Sequence, residues 1–244
     1  MDSAGSWQLP PFLRWTPSGR AVVFALSAMS IWCLLSEFYG LYSMRTFTFW
    51  ILLPAMLLLA AMAFIDRARG DRRLWRAVVI GTIAGFVAAC AYDIFRLPWV
   101  IGAMQQTGPG WLRLPLFKVF PQFGAMIIGE SFTSRQAQGE FSLAAHVVGW
   151  SYHFSNGMTF GVMYMALAGD AVRRSWLWAI AMAAGLEVVM LLTPYTSFFA
   201  IRMTALFIAV TLAAHLIFGV ALGRFARWMQ GRRWGGFGLE IARP

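Results

Sequence analysis

Charge is scarce in this chain. Of its 244 residues only 12% are Asp, Glu, Lys or Arg, and just 10 are acidic. An ordinary soluble domain carries roughly 25% charged residues, and a water-soluble core cannot absorb the 59% hydrophobic content found here. Histidine and cysteine are scarcer still, with three and two copies, which excludes a disulfide framework or a cysteine-rich zinc scaffold. No segment outside the apolar runs is long enough to fold as a basic domain, so nucleic acid is not an expected partner of the +10 net charge. Internal repeats are also lacking.

What the chain does contain is apolar runs that reach the ~20 residues needed to span hydrocarbon. They are continuous rather than alternating, which excludes a β-barrel. The runs cover 21–43, 47–65, 75–96, 142–168, 175–193 and 200–223. The stretch 116–130 (LFKVFPQFGAMIIGE) has fifteen residues with Lys118 and Pro121 inside, the character of a re-entrant or interfacial piece. The expected fold is therefore an all-α integral membrane protein, a bundle of six transmembrane helices with a re-entrant or interfacial segment near 116–130. Residues 1–20 form a cytoplasmic N-terminal segment, 21–223 the bundle with an outer-side excursion at 97–141, and 224–244 a basic cytoplasmic tail. The first twenty residues hold Pro10, Pro11 and Pro17 but no apolar core, so the first span is expected to act as an uncleaved insertion signal.

Charge decides whether 116–130 crosses. If it does not, both termini share one side with the 66–76 and 169–174 loops, and that side holds 14 of the 20 Lys and Arg residues. If it does, the split becomes nine against eleven. The positive-inside rule favours the first arrangement, with both termini cytoplasmic and the inner membrane as the location. Trp50, Trp75, Trp99, Trp176, Trp178 and Trp228 sit at or near span ends, where an indole keeps its N–H wet and its ring in lipid. The bilayer is the expected partner, with anionic headgroups meeting the basic cytoplasmic face and the tail lying on the inner leaflet. A homo-oligomer or a larger membrane complex is compatible with this surface.

Four spans carry a stripe of mostly small residues that includes an ionisable one: Gly81, Gly85, Ala89, Asp93 and Arg96; His146, Gly149, His153, Asn156, Gly157, Gly161 and Tyr164; Ala179, Ala183, Glu187 and Pro194; Thr204, Thr211, His215, Gly219 and Gly223. Small residues let helix backbones approach, so these faces are expected to turn inward. An ionisable group at membrane depth needs a partner or a water-filled cavity. His146 and His153 are seven apart and share a helix face within ~20°, with Asn156 nearly one turn deeper. The candidate ligand-binding set is Asp93, His146, His153, Asn156 and Glu187, and His146 with His153 is a candidate metal pair. The identity of any cofactor is left open. Glu187, with no basic neighbour on its own helix, must be protonated or paired across the bundle. His215 is estimated to lie about four residues deeper than His153 and reads as a packing residue. Cys33, Cys90 and the 14 scattered methionines read as apolar filling.

Two short segments take the form of rhomboid-protease motifs, Gly129-Glu130-Ser131-Phe132 and Ala145-His146-Val147-Val148-Gly149. Only fourteen residues separate Ser131 from His146, too few for an intervening span, which argues against a serine–histidine dyad. Intramembrane zinc hydrolases place two histidines one turn apart in the last span, and here that span has only His215. The reading that remains is a multi-pass protein with an outward-facing polar pocket that binds or translocates a small ligand, metal ion or proton. The competing readings are an intramembrane enzyme acting on a lipidic or isoprenoid substrate, with Asp93, Glu187 and His153 as acid and base, and a structural or assembly subunit of a membrane complex.

Overall fold

The computed structural model describes residues 9–106, 108–130 and 140–232, which are helices and their connections, with no strand among them. Helix α1 spans Pro17–Phe38. It begins as helices favour, with Thr16 accepting a bond from the Gly19 N–H and Pro17 at the first position, where no N–H is needed. Ser43 caps helix α2, Met44–Arg69, which widens to a π-helical turn over Thr48–Leu52. The cause is Pro54, which cannot donate to the carbonyl one turn back. Helix α3 runs Arg73–Gln105 and carries Pro98 within it. It is followed by the short α4, Val119–Ile128, and by α5, Leu143–Ala168, capped by Ser142. Helix α6 is Leu177–Leu192, and α7 is Ala205–Gly231, capped by Thr204.

Four of these helices, α1, α2, α3 and α7, are long and apolar enough to cross a membrane. The predicted fourth and fifth spans are also helical, but α5 carries polar residues along its length and α6 has only 16 residues. Two boundaries differ from the sequence expectation. Helix α3 continues through Pro98 to Gln105, so the excursion expected from residue 97 begins inside a helix. Helix α7 starts at Ala205 and ends at Gly231: residues 201–204 are not helical, and Gly231 lies well beyond the expected end at 223. The cytoplasmic tail expected from residue 224 therefore begins as helix, and residues 233–244 lie outside the described part.

One end of the bundle gathers the start of α1, the start of α3 and the ends of α5 and α7. There Trp15 Nε1 donates to the Gly169 carbonyl at 2.8 Å, and Arg20 donates to the Ala166 and Leu167 carbonyls, each at 2.7 Å. Gln230 accepts from the Ala171 N–H at 2.8 Å, and its carbonyl accepts from Arg76 at 3.4 Å. Helix α4 belongs to the opposite end. Its ten residues extend ~15 Å at ~1.5 Å per residue, half of a ~30 Å hydrocarbon core.

Inside the bundle the seams are made by glycine. Gly81 lies against Gly161 and Gly85 against Gly157 where α3 crosses α5, with backbone meeting backbone. Gly124 of α4 meets Ala145 and Gly149 of α5, and Gly219 and Gly223 of α7 meet Ala179, Ile180 and Trp176 at the start of α6. In lipid there is little hydrophobic gain from joining two helices, so close packing of small residues carries the association. Ser30 on α1 bonds Thr159 on α5 at 2.7 Å, and Tyr152 donates to the Ser30 carbonyl at 2.8 Å.

A side chain at Gly161 would overlap the Gly81 carbonyl, whereas Gly185 faces open space. Overpacking a tight seam costs about 1–3 kcal/mol or more. Gly161→Leu is expected to lower the thermal unfolding midpoint in detergent and Gly185→Leu to leave it within a degree or so. Equal effects would show that the α3–α5 seam is not a tight one.

Candidate functional site

The α3–α5 seam ends in the polar groups. The stripe on α3 steps from Gly81 through Gly85 and Ala89 to Asp93, while the antiparallel stripe on α5 steps from Gly161 through Gly157 to His153. From the Gly85/Gly157 contact Asp93 lies two turns along α3 and His153 one turn along α5, and their side chains reach across the remaining turn. His153 Nε2 lies 2.8 Å from Asp93 Oδ2. The other oxygen of Asp93 is 3.6 Å from Nη2 of Arg96, one turn along α3. Asp93 is 8% exposed and Arg96 4%, so neither charge is shared with solvent, and each requires the other.

Arg96 is held by its faces more than by its edges. Its Cζ sits 4.3 Å from the centroid of the Tyr92 ring, 4.9 Å from Phe117 and 5.4 Å from Phe120. Nη1 donates to the Tyr92 hydroxyl at 2.6 Å. Nε and Nη2 have no hydrogen-bond partner among the described residues. Phe120 also stacks on His153, with centroids 4.0 Å apart and 25° between planes.

A second histidine–carboxylate pair faces this one. Glu187 on α6, itself 6% exposed, places Oε2 3.2 Å from Nδ1 of His215 on α7. The same nitrogen is 2.9 Å from the Thr211 carbonyl, an acceptor only, so Nδ1 carries a proton and donates. Tyr92 stands between the pairs. Its ring centroid is 6.1 Å from that of His153 and 4.9 Å from that of His215, with the latter edge-on. His153 thus spends Nε2 on Asp93, while Nδ1 of His215 donates to the Thr211 carbonyl and lies within ion-pair distance of Glu187, and neither Nδ1 of His153 nor Nε2 of His215 is bonded to a described residue.

These groups line a cavity of about 790 Å³, within the usual size range of small-molecule sites. Tyr92, Arg96, His153, Asn156, Glu187 and His215 all contribute to its wall, and Asp93 lies behind His153. Deeper, the wall turns apolar at Ala89, Gly157, Phe160, Ala183 and Phe218. Toward the end opposite the termini it is rimmed by Arg113, Lys118 and Arg202, all exposed. Tyr195, in the short helical turn Tyr195–Phe198 between α6 and α7, is half-buried in the same wall, and desolvation there pushes its phenol above the ordinary value.

Of the five ligand-binding residues expected from sequence, His153, Asn156 and Glu187 line this cavity, and Asp93 supports it. His146 does not. It is exposed in the first turn of α5, with the Phe141 ring 6.4 Å away. The expected His146/His153 metal pair is corrected by helix rise: seven residues at ~1.5 Å separate the two by ~10 Å along the axis, too far to share one ion. Among the described residues no group of three or more His, Cys, Asp or Glu side chains is disposed to hold a metal. His215 is corrected in the other direction. The depth estimate placed it below His153, yet each lies ten residues inside its own helix, because α7 starts at Ala205 and α5 at Leu143. Arg96 and Tyr92 were not on the candidate list; the signal available was a tyrosine one turn from an arginine on the stripe that also carries Asp93.

No family model matches this chain, and no curated protein or solved structure is significantly similar to it.

Removing one member of a buried pair strands the other, at a cost of about 3–5 kcal/mol. Asp93→Leu is therefore expected to destabilise the fold by that order, and Asp93→Leu/Arg96→Leu to recover most of the loss, measured by detergent-induced unfolding. A double variant no more stable than the single would mean Asp93 and Arg96 are not coupled.

Proposed function

We propose that this chain is a multi-pass inner-membrane protein, with six crossings and both termini in the cytoplasm, whose outward-facing cavity binds a small ligand and exchanges a proton with it. The observation that carries the reading is the convergence of two histidine–carboxylate pairs, contributed by four different helices, on one cavity. Ionisable groups at membrane depth are costly and are, by default, a sign of a functional site. Two such pairs around one tyrosine, each with an imidazole nitrogen left toward the cavity, make a site that takes up and returns protons. Each carboxylate orients its imidazole, and the ring nitrogen left toward the cavity can donate to, or accept from, a bound group.

The outward assignment rests on charge. The end that gathers the termini holds 14 of the 20 basic residues under this topology, and the cavity mouth lies at the other end. Positive residues remain on the cytoplasmic side. In this arrangement α4 enters from the outer side, packs on α5 and returns without crossing, in the manner of a segment buried by protein rather than exposed to lipid.

Access is testable in right-side-out membrane vesicles in which Cys33 and Cys90 are replaced by Ala. Asn156→Cys, at the depth of the histidine pairs, is expected to react with a small membrane-impermeant thiol reagent added outside. Arg72→Cys, in the turn between α2 and α3, is expected to react only after permeabilisation. Labelling of position 72 from outside, or of position 156 only from the cytoplasmic side, would contradict the reading.

A further inference from the structure

Arg96 is the least explained group in the cavity. An arginine at 4% exposure needs more than one long-range ion pair, since its five donors match two or three oxygens in a fixed fork. Here Asp93 is 3.6 Å away and gives most of its bonding to His153. Three aromatic rings cover the guanidinium. Nε and Nη2, two donors on one edge of the fork, have no hydrogen-bond partner among the described residues, and Arg96 forms part of the cavity wall.

We infer that the ligand is an amphiphile with a phosphate-monoester head, seated on Arg96 between the two histidines with its apolar tail on the deeper wall. This rests on the cavity reading above and adds the class of occupant. Four observations favour it. Nε and Nη2 on one edge of Arg96 are buried without a hydrogen-bond partner among the described residues, Nη2 having only the 3.6 Å contact to Asp93, and two parallel donors on one edge match two oxygens of an oxyanion. His153 and His215 stand 6.1 and 4.9 Å from the Tyr92 ring that Arg96 also covers. Their free ring nitrogens supply further donors when protonated, more than a carboxylate's two oxygens can use. The mouth carries Arg113, Lys118 and Arg202, and among the described residues none of them forms an ion pair, so an anion is drawn inward past them. Finally, the wall beyond the histidines is built from Ala89, Gly157, Phe160, Ala183 and Phe218, a surface for a hydrocarbon chain and not for a hydrated ion.

Binding is measured by native mass spectrometry of the full chain in a neutral detergent, with dioleoyl phosphatidic acid, dioleoyl phosphatidylcholine and inorganic phosphate as probes. The wild type is expected to retain one phosphatidic acid with at least tenfold preference over phosphatidylcholine. Arg96→Gln should lose about tenfold in affinity. Because Arg96→Gln can also disturb the fold, Lys118→Ala/Arg202→Ala serves as an exposed second variant, expected to weaken binding threefold or more at an unchanged unfolding midpoint. Displacement of the lipid by millimolar inorganic phosphate would identify the head as the recognised group. Saturable binding of phosphate with no uptake of phosphatidic acid would overturn the amphiphile. Equal retention of both lipids, or affinities unchanged in both variants, would overturn the anion site. If position 156 is still labelled from outside in that case, the cavity reading survives and only its occupant is wrong.

Discussion

The close approach of α3 and α5 is the constraint on which the site depends. Two antiparallel helices that touch at Gly81/Gly161 and Gly85/Gly157 have their register fixed to within a residue, because any larger side chain at these points meets backbone. Beyond the second contact, two turns along α3 and one along α5, Asp93 and His153 come within hydrogen-bond reach of each other. In water such a pair would gain little from being held so tightly. At membrane depth the alternative to pairing is an ion in hydrocarbon, so a packing seam of small residues becomes the device that positions chemistry.

From that pair the rest of the site follows outward. Asp93 is shared between His153 and Arg96, Arg96 is sheltered by Tyr92, Phe117 and Phe120, and Tyr92 touches the second histidine. The second pair is held by an independent seam, in which Gly219 and Gly223 bring α7 onto α6 and set His215 beside Glu187. Two seams, each fixed by glycine, thus deliver two histidine–carboxylate pairs to the same cavity. The rings of Tyr92, Phe117 and Phe120 cover the Arg96 guanidinium, and a charge so covered interacts more strongly with its partner than it would in water.

Much of this was legible in the sequence. The helical class, the inward stripes and the choice of Asp93, His153, Asn156 and Glu187 all follow from helical spacing and from the cost of polar groups in lipid. Two residues were misjudged, for two separate reasons. His146 shares a helical face with His153, but a shared face says nothing about how far the neighbouring helices reach, and at the first turn of α5 the described residues leave it exposed. His215 was placed by counting from the apparent start of an apolar run. Residues 201–204 fall within that run yet are not helical in the structure, and Thr204 is the cap that opens α7. Pairing between α6 and α7 is a tertiary fact, and no periodicity within one helix reveals it.

The central claim is that Asp93 and Glu187 hold His153 and His215 in two separate contacts. Solid-state NMR on protein in bilayers, with ¹⁵N in the histidine rings and ¹³C in the carboxyls, measures those contacts directly. Hydrogen-bonded pairs put imidazole nitrogen and carboxyl carbon about 4 Å apart or closer, so dipolar recoupling should show one histidine coupled to an aspartate and another to a glutamate. The first coupling should vanish in Asp93→Ala and the second in Glu187→Ala. Two histidine rings with no carboxyl carbon within that distance would contradict the account.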